Sequence, residues 1–130
     1  MSISNKKQEL EEAFYKIHFD SKDGTFKNIS EFEKLLKKCN FNIKSSSIDL
    51  IYFDDADRKY QDSGGIRYTL KVENRNFKEY FFNVEHLNGS SYNDERRIYC
   101  EKGKDFEDYS DWYEIYELSF SEFFEENNVL

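Results

Sequence analysis

The sequence predicts an α+β domain: two N-terminal helices, an antiparallel meander of four or five strands and a short C-terminal helix. Three observations carry that expectation. Apolar residues recur at helical spacing near both ends of the chain, they alternate with polar residues in its middle, and turn residues punctuate the alternating region. Helices and strands segregated in this way pack with the helices on one face of the sheet.

Residues 5–18 read as the first helix, with Leu10, Phe14 and Ile17 on one face and Asn5 and Gln8 at capping spacing. Asp20-Ser21-Lys22-Asp23-Gly24 is turn chemistry. The second helix is expected at about 30–39, where Ser30 and Glu33 have capping-box spacing and Phe32, Leu35, Leu36 and Cys39 form an apolar stripe. The period then changes. Ile48 to Phe53 is an apolar run suited to a buried strand, and Gly64-Gly65 is expected to break the chain. Ile66, Tyr68, Leu70 and Val72 alternate with Arg67, Thr69, Lys71 and Glu73, which is the clearest strand signal. Asn74-Arg75-Asn76 reads as a hairpin turn, Phe77 to Val84 as the returning strand and Arg96 to Glu101 as the next one. Lys102 to Asp111 reads as a charged loop. Trp112 to Leu118 is aromatic and β-branched and is expected as a last strand, because a strong helix start follows it. Ser119 and Glu122 have capping-box spacing, and Leu118 and Phe123 occupy the two staple positions, so the closing helix is expected over 120–127.

A chain of 130 residues without repeats or linkers predicts one domain, 1–130. Apolar content of 38% and a mean hydropathy of −0.93 by themselves describe a disordered chain. Thirteen Phe, ten Tyr and one Trp argue for a fold, since each aromatic buries about 150–250 Å². The expectation is an aromatic core under a charged skin. No stretch approaches the roughly 20 apolar residues of a membrane span, and Met1–Leu10 lacks the apolar core of a signal peptide, so a cytoplasmic protein is expected. Cys39 and Cys100 are then expected as thiols. A pI of about 4.8 disfavours direct binding to nucleic acid, whose phosphates repel an acidic protein.

Catalytic and metal-binding signatures are weak. Across Asp20–Glu31 an EF-hand reading would put Lys22 at a ligand position and Gly24 one place early, so an ordinary connection between helices is expected. Asp54, Asp55, Asp57 and Asp62 form a secondary candidate surface. Their alternative role, holding a divalent metal in a small metal-dependent enzyme, follows no recognised spacing. His18 is placed at a helix end and His86 after a strand, without Cys or His at metal-ligand spacing. A Cys100–His86 nucleophilic pair has no supporting flanking sequence. Arg96-Arg97 and Lys37-Lys38 are isolated basic pairs. The expectation is a protein that is not an enzyme and needs no metal or cofactor.

Charge segregation is the strongest functional feature. Residues 101–130 contain ten acidic and two basic side chains, whereas residues 1–100 contain seventeen of each, so the net charge of −8 belongs to the last thirty residues. From Asp105 onward there is no basic residue at all. Concentrating one sign costs self-repulsion and suits a partner of opposite sign. The expected contact set is Asp105, Glu107, Asp108, Asp111, Glu114 and Glu117, with Tyr109, Trp112 and Tyr113 as aromatic anchors. The bland alternative is a solubilising face whose aromatics fill the core.

The run DWYEIYELSFSEFFEE resembles the C-terminal signature of the SUKH superfamily of bacterial immunity proteins, in which a strand leads into a short helix opening on Ser-Phe. Here those positions are Ser119, Phe120, Phe123 and Phe124. The family's N-terminal Leu-Pro has no counterpart in this proline-free chain. The resemblance implies an α+β cytosolic protein that neutralises a secreted toxin, often a nuclease. The expectation is therefore an acidic inhibitor of a basic toxin or nuclease domain. The alternative partner is a host nuclease complex, blocked by a phage-encoded mimic of nucleic acid. The composition, rich in Lys, Asn, Ile and Phe, suits an AT-rich bacterial or phage genome.

Overall fold

The fold comes from a computed structural model, which describes residues 6–52, 64–87, 94–101 and 115–127. Among these are helices α1 (Lys6–Lys16), α2 (Ile29–Lys38) and α3 (Phe120–Asn127). A small hairpin pairs β1 (His18–Asp20) with β2 (Thr25–Lys27). The main sheet is an antiparallel meander of β3 (Asn42–Tyr52), β4 (Gly64–Glu73), β5 (Glu79–Leu87), β6 (Glu95–Glu101) and β7 (Ile115–Leu118), in that spatial order. The α+β class, the five-stranded meander and the closing helix are as the sequence predicts.

The core lies between the helices and one face of the sheet. Alternation puts Tyr68, Leu70 and Val72 of β4, Tyr80, Phe82 and Val84 of β5, and Ile98 and Cys100 of β6 on the buried face. α1 contributes Leu10, Ala13 and Phe14, α2 contributes Phe32 and Leu36, and α3 contributes Phe120, Phe123 and Phe124. Aromatic rings join the layers. Phe82 meets Phe14, Phe32 and Phe123 edge-on at centroid distances of 5.3, 5.0 and 5.3 Å. Each such pair adds about 0.5–1.5 kcal/mol beyond area burial, which is how a chain of low apolar content holds together. α3 is anchored to β5 and the turn before it by polar bonds too: Lys78 Nζ and Tyr80 OH both donate to Glu126 Oε1, at 2.5 and 2.9 Å. Burial and the Glu126 carboxylate push the Tyr80 phenol up to about 12.

Several local expectations are corrected. The connection between α1 and α2 contains the β1–β2 hairpin, closed by a Gly24 N–H donating to the Asp20 carbonyl at 2.7 Å with Gly24 at φ +67°. Strands of three residues are too short for periodicity to register. His18 therefore lies in a strand, and the hairpin takes up Asp20 to Lys27 of the Asp20–Glu31 stretch. The Ser30–Glu33 capping box does not form. Asn28 takes the N-cap position in the left-handed region, φ +69°, with no side-chain cap bond, and Ser30 falls inside α2. β3 begins at Asn42, six residues before the apolar run. Gly64 and Gly65 open β4 instead of breaking the chain. A Cβ on Gly65 would sit 2.2 Å from the His86 carbonyl oxygen, so the close approach of β4 to β5 requires glycine. Phe77 belongs to the turn, and the returning strand starts at Glu79.

Candidate partner-binding surface

Of the contact set read from the sequence, Glu117 is the member within the described residues. Asp105, Glu107, Asp108, Tyr109, Asp111, Trp112, Tyr113 and Glu114 lie outside them, as do Asp54, Asp55, Asp57 and Asp62. Glu117 stands on β7, at one end of the main sheet, with its side chain 58% exposed. Its carboxylate lies 3.4 Å from Arg97 Nε.

The rest of the acidic segment that is described sorts cleanly by side-chain type. Glu122 and Glu125 are exposed, and Glu126 is exposed beside Lys78. Phe120, Phe123 and Phe124 are buried. This is the amphipathic pattern of a helix whose aromatic face docks on the sheet. The capping box predicted at its start is formed: Glu122 N–H donates to Ser119 Oγ at 3.1 Å, and Ser119 N–H donates to Glu122 Oε1 at 3.0 Å. The box fixes where α3 begins and so which way its carboxylates point. The three phenylalanines of α3 are core residues and are not exposed anchors.

A cleft of about 370 Å³ adjoins Glu117, between α1 and the β6–β7–α3 corner. Glu11, Tyr15, Arg97, Glu117, Ser119 and Phe120 line it. Tyr15 is 57% exposed, with its ring 6.1 Å from that of Phe120. The sequence reading missed this cleft, because Tyr15 follows Phe14 on α1 and falls just outside the apolar stripe. It read Arg96-Arg97 only as an isolated basic pair. Adjacent strand residues point to opposite faces, and the two arginines do different work. Arg96 turns inward, where Nε donates to the Phe14 carbonyl at 3.2 Å and Nη2 to the Ile17 carbonyl at 2.5 Å, satisfying acceptors at the C-terminal end of α1. Burial lowers its pKa, against the raising influence of Asp94 and Tyr15. Arg97 turns outward and approaches Glu85, Glu95 and Glu117 at 3.8, 3.0 and 3.4 Å. Of the two cations lining the cleft, Arg96 is therefore bonded to backbone carbonyls and Arg97 is matched to carboxylates.

The remaining titratable pairs are structural in geometry. His86 lies within β5, with Nδ1 2.7 Å from Asp94 Oδ1, while Asp94 Oδ2 accepts the Phe19 N–H at 2.8 Å. Asp94 thereby ties β1 to β5. His86 is six residues along β5 from Tyr80, the residue opposite Cys100, which separates His86 from Cys100 by about 20 Å at the usual strand rise. That distance removes the Cys100–His86 pair. Burial raises the thiol pKa of both Cys39 and Cys100, which makes them poorer nucleophiles. Among the described residues no three His, Cys, Asp or Glu side chains are grouped to hold a metal ion, and no helix is long and apolar enough to cross a membrane. No family model, curated protein or solved structure matches the chain.

Proposed function

We propose that this chain is a small cytoplasmic binding protein of the immunity type, which inhibits a basic toxin or nuclease domain by docking its acidic C-terminal segment. One observation carries the reading: from Asp105 to Glu126 all nine charged side chains are carboxylates. The described part of that segment supports it, because Glu117, Glu122 and Glu125 face solvent while the phenylalanines between them are buried. The sheet end formed by β7 and α3 is thus an acidic rim on a rigid base. In this mechanism the carboxylates pair with Lys and Arg that the partner uses to hold its own substrate, and block that site sterically. The resemblance of residues 111–126 to the immunity superfamily supports the same class.

The test is charge reversal. The whole chain is used to recover its partner from the native source, and association is then measured with a variant carrying Asp108→Lys, Asp111→Lys and Glu117→Lys. Slower association with a shallower salt dependence is the expected result. Kinetics equal to those of the unaltered chain would refute this placement of the interface.

A further inference from the structure

β7 is shorter than the strand it pairs with. β6 runs from Glu95 to Glu101, but its ladder to β7 covers only Ile98 to Glu101, which face Leu118 to Ile115. The ladder stops because the Ser119 backbone is committed to α3: its N–H donates to Glu122 Oε1 and its carbonyl accepts the Phe123 N–H, both at 3.0 Å. Glu95, Arg96 and Arg97 are left pairing with Glu85, Val84 and Asn83 of β5. Residues of an antiparallel strand turn their N–H and C=O alternately to its two neighbours. Either Arg96, or both Glu95 and Arg97, therefore aim these groups away from β5, where no described strand meets them. The cleft of about 370 Å³ lies on that side, lined by Arg96, Arg97 and Ile98, by residues 118–121 and by Tyr15 of α1. It occupies the place where β7 would continue.

We propose that an extended segment of the basic partner adds to β6 in this cleft as a short strand, with a Lys or Arg side chain opposite Glu95. The inference rests on the reading of the chain as a binder of a basic protein, and names the element of the partner that is held. The open backbone groups of β6 select a strand, because only an extended main chain matches their spacing. The charges beside them select its side chain. Glu85 and Glu95 stand directly opposite each other in the β5–β6 ladder, an unfavourable like-charge pair. Arg97 approaches both of them and Glu117 as well, so one guanidinium is shared among three carboxylates. Arg67 reaches Glu85, at 3.5 Å, which leaves two cations for three anions on this part of the sheet. The Glu95 side chain is 48% exposed and its open side faces the added strand, where a third cation completes the set. Parity puts the residue opposite Glu95 on this charged face and the residue opposite Arg96 on the core face, beside the exposed Tyr15 ring. The first is therefore basic and the second apolar. Three paired residues span about 10 Å, so the strand is one part of a larger interface.

The probe is the peptide acetyl-Thr-Val-Lys-Val-Thr-amide, titrated to millimolar concentration into the isotope-labelled whole chain and followed by amide shifts in NMR. Saturable shifts centred on the amides of Glu95, Arg96 and Arg97 are expected. The same peptide with Glu in place of Lys should bind about tenfold more weakly, since a favourable cross-strand pair becomes a like-charge one. A peptide N-methylated at Val, Lys and Val lacks the strand donors and should not bind. In a Glu95→Lys chain the order of the Lys and Glu peptides should reverse. No saturable shift at these amides overturns the proposal, as does equal binding of the N-methylated peptide or an unchanged order in Glu95→Lys. Such a failure beside salt-dependent association of the recovered partner sinks the strand site alone. Peptide binding beside a partner whose association ignores salt sinks the docking of the acidic segment alone.

Discussion

Replacing Phe77 with glycine should make this protein more stable. Phe77 closes the β4–β5 turn at φ +63°, in the left-handed region, and is 78% exposed. The turn is otherwise well bonded. Asn74 N–H donates to the Lys78 carbonyl at 2.9 Å, Phe77 N–H to the Asn74 carbonyl at 3.1 Å, and Asn74 Oδ1 accepts from the N–H groups of Asn76 and Lys78 at 2.8 and 3.0 Å. These bonds hold Phe77 in a backbone shape that costs an L-residue about 1–2 kcal/mol. Glycine removes that strain but loses about 0.5–1 kcal/mol of additional chain entropy on folding. An exposed ring forfeits little by its removal. The net gain is about 0.5–1 kcal/mol, or a rise in Tm of about 2–5 °C. Urea denaturation read by circular dichroism measures it, with an unchanged m value showing that only stability has moved. Phe77→Ala is the control: it keeps the Cβ and the strain and should change little. Equal destabilisation by glycine and alanine would show that the ring packs and that the strain argument is wrong.

Two further outcomes follow from the α3 contacts. Ser119→Ala removes the acceptor for the Glu122 N–H and should cost about 1 kcal/mol in urea denaturation, with Ser119→Thr largely restoring it. Glu126 carries the pH dependence: burial opposes its ionisation, but hydrogen bonds from Lys78 and Tyr80 and the Lys78 charge outweigh burial and hold the carboxyl below its ordinary value. A depressed folded-state pKa stabilises above the unfolded value and is lost as pH falls through the folded one. The stability difference between the unaltered chain and Glu126→Gln should therefore be full at neutral pH and shrink through the acidic range; a difference independent of pH would contradict the assignment.

Legibility from sequence tracked how far a local signal agreed with its surroundings. The Ser119–Glu122 box and the Leu118–Phe123 staple positions made the start of α3 legible, because cap, amphipathic face and preceding strand all favour the same start. β4 was legible because its alternation is unbroken over four pairs. The identical spacing at Ser30–Glu33 misled, since Asn28 in the left-handed region starts α2 two residues earlier. The Ser45–Ser47 half of β3 carried no apolar run, because that edge is exposed on the core side. Arg96 was unreadable for a different reason: the carbonyls it satisfies, at Phe14 and Ile17, are about eighty residues away in sequence. Of the predicted contact set, Glu117 is the member among the described residues, exposed on β7 beside Arg97.

The most direct measurement is the association rate of the recovered partner with the whole chain as a function of salt. Docking through the acidic segment predicts a rate that falls steeply as ionic strength rises, with a dissociation rate that changes little. An association rate independent of salt would contradict it, and would leave the carboxylates of residues 105–126 as a solvated surface.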